Sequence, residues 1–132
     1  MRVFLGLGCD RNTSLTTLKT AVTQALTLAG LTENAVMGIA TIDKKNDEAA
    51  ILQLAAEKNW ALHFFTAAQL AQVEVPNPSE TVLKYMGTPA VAEAAALLAA
   101  GVKMDELLLE KHKYRGDDGK NATVSIARIK IS

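Results

Sequence analysis

The sequence predicts an α/β three-layer sandwich, in which a mixed, largely parallel sheet carries helices on both faces and ends in a C-terminal β-hairpin. Short apolar runs of strand length alternate with longer segments whose apolar residues recur every three or four positions. Near the C-terminus, two strand-like runs are joined by a turn that contains Asp-Gly, which is typical of a hairpin. We expect residues 1–132 to form one domain, because a chain of this length buries about two thirds of its unfolded surface without a disulfide or structural metal.

The first strand is predicted over residues 2–7, a mostly apolar run that contains Gly6. A helix follows from Ser14, whose hydroxyl suits the N-cap position, to Gly30, which ends it. The apolar residues of this helix are spaced three and four apart, so they lie on the face that packs against the sheet.

Two further strand and helix pairs are predicted. The second strand covers residues 35–42, and its helix covers residues 47–58 with Asp47 or Asn46 as the cap. Residues 60–65 are apolar enough to predict a third, buried strand. At most a short helix follows it, at residues 67–71.

The second half starts with an irregular segment, because two prolines within residues 75–78 lack backbone donors. A short helix is predicted over residues 79–86, and a longer helix follows that runs through residues 90–100 and closes at Gly101. That longer helix is apolar nearly all round, so it is either sandwiched between layers or covered by another chain. The hairpin strands are predicted over residues 107–112 and 122–131.

Charge and cysteine content limit the class of protein. Fourteen basic residues balance fourteen acidic ones, six of each through Thr66 and eight of each after it. Neither half has the basic excess of a nucleic-acid or membrane-surface binder, so we expect no nucleic-acid partner and no membrane partner. A lone cysteine, no leader-like segment and no apolar run near ~18 residues predict a cytoplasmic protein.

Ligands of such sandwiches bind where strand carboxyl ends meet helix starts, which points to residues 8–14, 43–48 and 79–89. The first of these loops fails the dinucleotide fingerprint, because Arg11 stands where the third glycine would be. Free amides at the helix start, with Arg11, Thr13 and Ser14, would suit a carboxylate or phosphate. The alternative is a glycine turn with Ser14 as an ordinary cap.

Four side chains near these loops have both a chemical and a structural interpretation. Cys9 precedes a helix start that can activate a thiol, but without a neighbouring histidine in the sequence we predict a structural role. Lys45 pairs with local aspartates or with a bound carboxylate. Glu93 is an acid of raised pKa or a solvated carboxylate. Lys111 belongs to a basic run that ends a strand or clamps an acidic ligand. No metal-ligand spacing and no cofactor motif is present.

Three segments together resemble one family, the CobE protein and the C-terminal domain of CbiG from cobalamin biosynthesis. GLGCDRNT at residues 6–13 is similar to the family's GIGCRRGT, ATIDKKNDE at residues 40–48 to its ASIDxKxDE, and GTPAVAEAAAL at residues 87–97 to its GxxSVAEAAAL. Asp10 replaces an arginine of the family pattern, Asn12 a glycine and Ala90 a serine.

The resemblance implies that the chain acts on or binds a precorrin or cobalt-precorrin, and it implies other enzymes of the cobalamin pathway as partners. CbiG opens the lactone of cobalt-precorrin-5A and releases acetaldehyde, while CobE is the stand-alone relative. No cofactor and no metal are expected. The expected substrate-binding residues are Gly8, Cys9, Arg11, Thr13, Lys45, Ser79, Gly87, Thr88 and Lys111, and the catalytic candidates are Lys45, Glu48 and Glu93.

Three functions stay open at this point. The chain is a hydrolase in which Lys45 or Arg11 stabilises an oxyanion while Glu48 or Glu93 moves protons. Alternatively it binds and hands over a corrinoid without catalysis, or it is an accessory subunit that docks through residues 90–100. For Glu93 we favour a structural anchor that accepts bonds from amides of its own helix start or from Lys45.

Overall fold

The computed structural model describes residues 1–73 and 91–129. The predicted segments at residues 75–78 and 79–86 lie outside them. In the described ranges the helices and strands are β1 (Val3–Cys9), α1 (Leu15–Leu28), β2 (Val36–Ile42), α2 (Ala49–Lys58), β3 (Ala61–Phe65), α3 (Ala67–Ala71), α4 (Val91–Ala100), β4 (Leu107–Arg115) and β5 (Asn121–Arg128).

The strands form one sheet in the order β3-β2-β1-β5-β4. Strands β1, β2 and β3 are parallel, and β5 is antiparallel to both of its neighbours, β1 and β4. Helices α1 and α2 cover one face of the sheet, while α3 and α4 cover the other. The predicted mixed sheet with helices on both faces and a C-terminal hairpin is therefore confirmed.

The central strands supply two separate cores because alternate side chains point to opposite faces. Leu5 and Leu7 of β1 belong to the core beneath α1 and α2. Ala40 and Ile42 of β2 belong to the core beneath α4. Burial on both faces explains why these strands read as continuous apolar runs rather than as an alternating pattern.

Strand β3 is an edge strand, and the prediction of a buried third strand was wrong. It begins at Ala61 rather than at Trp60, and all five of its side chains are at least partly exposed. The topology explains the difference, because β5 returns from the end of the chain to take the place beside β1. Strand β3 is left on the outer side of β2, with no neighbour beyond it in the described part of the sheet.

The long hairpin also extends β1 beyond its predicted end. Strand β5 pairs with β1 as far as Cys9 opposite Ala122, so Gly8 and Cys9 are strand residues rather than loop residues. Strand β4 likewise continues past His112 to Arg115, because its last residues pair with the start of β5. The site residues on these strands are consequently held by ladder hydrogen bonds.

Helix α2 begins two residues later than predicted. Its N-cap is Glu48, and no side chain caps it. Neither Asp47 nor Asn46 takes the predicted capping role, since Arg11 binds the carboxylates of Asp47 and Glu48 from across the sheet edge. A long-range ion pair thus replaces the local cap.

Helix α4 packs on the sheet. Of the two alternatives for an apolar helix, burial between layers and cover by another chain, the structure shows the first. Residues 92–97 are all buried, and Gly101 at φ +68° ends the helix in the left-handed conformation. No helix in residues 1–73 and 91–129 has the length and apolar composition needed to cross a membrane.

Strand β1 and helix α4 approach each other closely at Gly6. A Cβ atom on Gly6 would lie 1.8 Å from the carbonyl oxygen of Ala92 and 2.8 Å from the backbone nitrogen of Ala96. Both are backbone atoms of a buried helix, so they have little room to move. Glycine at this position allows the alanine-rich helix to lie directly on the strand.

We expect Gly6→Ala to lower the free energy of unfolding by at least about 2 kcal/mol, because the added methyl group overpacks a backbone contact. Gly8→Ala is the matched control on the same face of β1, since its Cβ would meet nothing closer than Thr123 Cβ at 3.9 Å. We expect the control to keep or gain up to about 1 kcal/mol. Urea unfolding checks both variants, and equal stabilities would contradict the close-packing account.

Candidate functional site

A cavity of about 340 Å³ lies where β1 and β2 end, between the start of α4 and the hairpin strands. Backbone and apolar atoms of Gly8, Ile42, Val91 and Ala92 form part of its wall. Its ionisable side chains come from four places in the chain, namely the end of β1, the segment after β2, the start of α4 and strand β4: Cys9, Asp10, Lys45, Glu93, Lys111 and Lys113.

The cavity brings together five of the residues predicted from the sequence, which are Gly8, Cys9, Lys45, Glu93 and Lys111. They come from three strands or strand ends and one helix. Three other predicted site residues, Ser79, Gly87 and Thr88, lie outside the described residues. The remaining three, Arg11, Thr13 and Glu48, line a separate surface depression.

Glu93 is the most unusual residue of the cavity wall, because its side chain is 0% exposed. Within the part of the chain that the structure describes, neither of its carboxylate oxygens accepts a hydrogen bond. The Lys111 ammonium lies 3.4 Å from Oε1, at ion-pair distance. Burial raises the pKa of Glu93, and the charge of Lys111 opposes that rise.

These surroundings differ from the anchor that we expected. The amides at the start of α4 within the described range do not bind Glu93, and its cationic neighbour is Lys111 rather than Lys45. Lys111 on β4 lines the same cavity as Glu93, which brings its ammonium group within ion-pair distance. A buried carboxylate with one cationic neighbour and no hydrogen bond lacks the bonds that hold an anchor in its ionised form.

Three lysines supply the positive charge of the cavity. Lys111 is largely buried beside Glu93, whereas Lys45 is half-buried and Lys113 exposed. Neither Lys45 nor Lys113 forms an ion pair within residues 1–73 and 91–129. The expected local pairing of Lys45 with Asp43 or Asp47 is therefore not found there. These two ammonium groups are available to an anionic ligand.

Lys113 was not singled out from the sequence, although a signal for it was present. Lys111 and Lys113 are two residues apart on a strand, so they share one face of the sheet. Side chains of a strand alternate between the two faces of the sheet. This alternation within the basic run 111–115 would have predicted Lys111 and Lys113 on one face and His112 on the other. His112 lies on the opposite face, with Nε2 2.7 Å from Gln24 Oε1 of α1.

Cys9 is half-buried in the cavity wall. Burial raises the pKa of its thiol, and the nearby Lys45 only partly opposes this effect. Neither histidine can serve it as a base, because His112 lies on the other face and His63 packs between Phe4 and Phe65 on the edge of the sheet. Among the described residues the cavity therefore holds no activated nucleophile, and the structural role of Cys9 stays a prediction.

Arg11 is held by the protein itself. Its Nη1 donates to Asp47 Oδ1 at 2.7 Å and to Glu48 Oε2 at 2.9 Å, while the amide of Asn12 donates to Glu48 Oε1 at 2.7 Å. Glu48 is 3% exposed, so these bonds compensate a buried charge. Asn12 has a φ of +64°, in the left-handed region that glycine and asparagine adopt more readily than other residues. These bonds hold the loop after β1 against the start of α2.

The start of α1, expected to offer free amides to an anion, is filled by Asp118 of the β4–β5 turn. Asp118 accepts bonds from the Ser14 amide at 2.9 Å and from Thr17 Oγ1 at 3.0 Å. The Thr17 amide is bound by the Ser14 hydroxyl, and the Thr13 hydroxyl donates to the carbonyl of Asp10. The helix start thus binds a carboxylate, as its dipole favours, but that carboxylate belongs to the chain.

The described residues offer no cluster of three or more histidine, cysteine, aspartate or glutamate side chains that could hold a metal ion. The chemistry of the cavity is instead that of three ammonium groups, a poorly ionised thiol, the buried Glu93 carboxylate and the Asp10 carboxylate beside an apolar wall. Such a set suits a ligand that carries carboxylates on a partly apolar body.

Comparison with known proteins places this fold and cavity in a family. The family described as cobalamin synthesis G C-terminus matches residues 3–127, nearly the whole chain. The chain therefore belongs to this cobalamin-biosynthesis family, as the resemblance of its three segments implied.

Two curated relatives are similar in sequence. A cobalt-precorrin-5A hydrolase of Priestia megaterium is 31% identical over 125 residues, which are 95% of this chain and 32% of that protein. Protein CobE of a Sinorhizobium species is 37% identical over 99 residues, which are 74% of this chain and 64% of that protein. The chain thus spans about a third of the first relative and less than two thirds of the second.

Solved structures show the same fold. A crystal structure of CobE, from the cobalamin biosynthetic pathway, aligns with a TM-score of 0.84 at 31% identity over 99% of this chain and 92% of that one. The cobalamin biosynthesis protein chiG from Agrobacterium tumefaciens aligns with a TM-score of 0.67 at 26% identity over 98% of this chain and 99% of that one.

The Asp118 cap predicts an acid dependence of stability. Hydrogen bonds from the Ser14 and Lys120 amides lower the pKa of Asp118 from 3.8 to about 2. A carboxylate with a depressed pKa stabilises the fold above pH 3.8, and this contribution is lost as the pH falls through about 2.

We therefore expect Asp118→Ala to reduce the free energy of unfolding at pH 7 and to flatten its fall between pH 3.8 and about pH 2. Asp117→Ala is the control, because this exposed neighbour makes no hydrogen bond or ion pair with the described residues. Denaturant unfolding at a series of pH values checks the prediction. Identical pH profiles for the two variants would show that the cap does not bind as described.

Proposed function

We propose that this chain binds a precorrin or cobalt-precorrin through its carboxylate arms at the cavity, in support of a step of corrin-ring assembly. The observation that carries the proposal is the convergence of Lys45, Lys111 and Lys113 on an apolar-walled cavity at the carboxyl ends of β1 and β2. Family membership supplies the class of ligand.

The physical match is between the arms of the ligand and the size of the cavity. Precorrins carry acetate and propionate arms around a large, flat macrocycle. A cavity of about 340 Å³ is at the small end for a ligand site, so it accommodates arms and one edge of the macrocycle rather than the whole ring. Lys45 and Lys113 are available for charge-assisted hydrogen bonds to the arms, while Val91 and Ala92 contact apolar atoms of the ring.

Binding without covalent catalysis is the function that the cavity supports best. The described residues include no nucleophile with a base within reach, since Cys9 is poorly ionised and both histidines lie elsewhere. Handover of the corrinoid to another enzyme of the pathway is consistent with this chemistry. A cytoplasmic location and pathway enzymes as partners stay predictions.

One observation favours a second candidate function, the lactone hydrolysis named for the Priestia megaterium relative. Glu93 is buried, faces the cavity and lacks hydrogen bonds, which suits a carboxyl group that gives or takes a proton. Lys45 would then stabilise negative charge on the opening lactone. Docking through residues 90–100 has no comparable support, because residues 92–97 are buried against the sheet.

Mixing the purified chain with a late precorrin separates these functions. A stoichiometric change in the absorption spectrum without release of a two-carbon product supports binding and handover. Catalytic release of acetaldehyde supports hydrolysis. An unchanged spectrum and no product would contradict both, and would leave an accessory role.

Two single variants should separate ligand binding from stability. Lys45→Ala is expected to weaken precorrin binding about tenfold, because one charge-assisted hydrogen bond is lost, and to change stability by less than about 0.5 kcal/mol. Arg11→Ala is expected to lower the melting temperature by several degrees, since it leaves the buried Glu48 without its cation, and to leave affinity unchanged.

Spectral titration and thermal unfolding of both variants provide the measurements. If Arg11→Ala weakened binding while melting like the wild type, the ligand would contact the loop after β1 instead of the cavity, and the proposed site would be wrong.

A further inference from the structure

Glu93 and Lys111 form a buried pair that an anionic ligand must disturb. Lys111 Nζ lies 3.4 Å from Glu93 Oε1, and both side chains line the cavity. Glu93 is 0% exposed and accepts no hydrogen bond within the described residues, so Lys111 is its principal source of stabilisation as an anion. Water would also stabilise the charge of an exposed glutamate, but the buried carboxylate of Glu93 lacks this hydration.

We propose that the cavity takes up a proton when a ligand carboxylate binds, because this carboxylate draws the Lys111 ammonium away from Glu93 and Glu93 becomes protonated. The inference deepens the proposed function and rests on it, since it requires a carboxylate-bearing ligand at this cavity. The proton comes from solvent and bonds to a carboxylate oxygen of Glu93, so no covalent bond of the ligand changes.

Electrostatics in a confined site supports this exchange. Two carboxylates that share one ammonium group away from water cannot both stay ionised without a large penalty. Burial already raises the pKa of Glu93, and the charge of Lys111 is the strongest influence that opposes this rise. When the ligand carboxylate neutralises Lys111, that opposition weakens and the neutral acid becomes the favoured form.

The ionisable groups around Glu93 identify Glu93 as the carboxylate that takes up the proton. Strand β2 and helix α3 carry no ionisable side chain, and Arg128 of β5 pairs with Glu106 at the opposite end of the sheet. Among the residues that the structure describes, the other ionisable groups near the cavity are Cys9 and Asp10 at the end of β1, Lys45 after β2, and Glu110, Lys111 and Lys113 on β4. Asp10 differs from Glu93 in accepting two hydrogen bonds from Asn121.

The sign of the pH dependence follows from linkage. A ligand that binds together with one proton loses affinity as the pH rises, by up to tenfold per pH unit above the pKa of Glu93 in the free protein. Replacing Glu93 with glutamine keeps the shape and removes the titration. The variant is therefore expected to bind without proton uptake, and with an affinity that does not fall with pH.

Calorimetric titration with cobyrinic acid, a stable corrin with free acetate and propionate arms, tests the inference. The heat of binding is measured at pH 7 in two buffers with different ionisation enthalpies, phosphate and Tris. For the wild type the heats should differ by the equivalent of about one proton per bound ligand, and for Glu93→Gln they should agree. Glu57→Gln is the matched control, because Glu57 belongs to the exposed pair with Lys19 outside the cavity and should behave as the wild type.

A second measurement requires no ligand. Lys111→Ala should raise the midpoint of the Glu93 carboxyl titration, followed by carbon NMR, by at least about one pH unit, while the control Lys19→Ala leaves it unchanged.

The outcomes separate the two proposals. Binding of cobyrinic acid by the wild type with equal heats in both buffers overturns the proton uptake and leaves the binding proposal standing. Absence of binding overturns the proposed function together with this inference. A Glu93 titration that does not respond to Lys111→Ala overturns the inference whatever the ligand does, and the three expected results together support it.

Discussion

Helix α4 lies so close to strand β1 that one methyl group at Gly6 would collide with the carbonyl oxygen of Ala92. This contact sets the position of the helix on the sheet, and the small side chains of residues 94–96 allow the same closeness along its length. Because the helix packs so closely on the sheet, the side chain of Glu93 on its first turns is buried in the wall of the cavity. The cavity beside it exists where the helix start, the end of β1 and the hairpin strand β4 meet.

The burial of Glu93 is unfavourable for stability, and the structure does not compensate it with hydrogen bonds. The structure treats its other buried carboxylates differently. Glu48 is bound by Arg11 and by a backbone amide, and Glu106 is bound by Arg128 at 2.7 Å. An incompletely satisfied charge among well-satisfied ones is typical of a functional position rather than of a structural one.

Local sequence patterns predicted most of the fold. The strand and helix units of the first half, the helix closed by Gly101 and the hairpin were all visible as apolar periodicity with glycine at the ends. The place of β3 at the edge was not, because it depends on β5 returning from the end of the chain to pair with β1. Periodicity in one segment carries no information about which distant segment becomes its neighbour.

The sequence likewise predicted only part of the candidate site. Residue type and a position at or just after the end of a predicted strand were enough to select Cys9, Lys45 and Lys111, all of which line the cavity. Arg11 satisfied the same criteria and is nevertheless held by Glu48, 37 positions away. The start of α1 had two interpretations, and in the structure Ser14 is its cap while the carboxylate bound there is Asp118, 104 positions from Ser14. Sequence alone cannot tell a charge that awaits a ligand from one that a distant residue neutralises.

The central claim is that a corrinoid polycarboxylate binds in this cavity, and its most direct test is a map of backbone amide shifts during titration with cobyrinic acid. The account predicts that the largest shifts occur at Gly8, Lys45, Glu93 and Lys111, and that residues of the opposite face, such as Gln24 on α1, stay unchanged. Shifts confined to the α1 and α2 face, or no shifts at ligand excess, would contradict it.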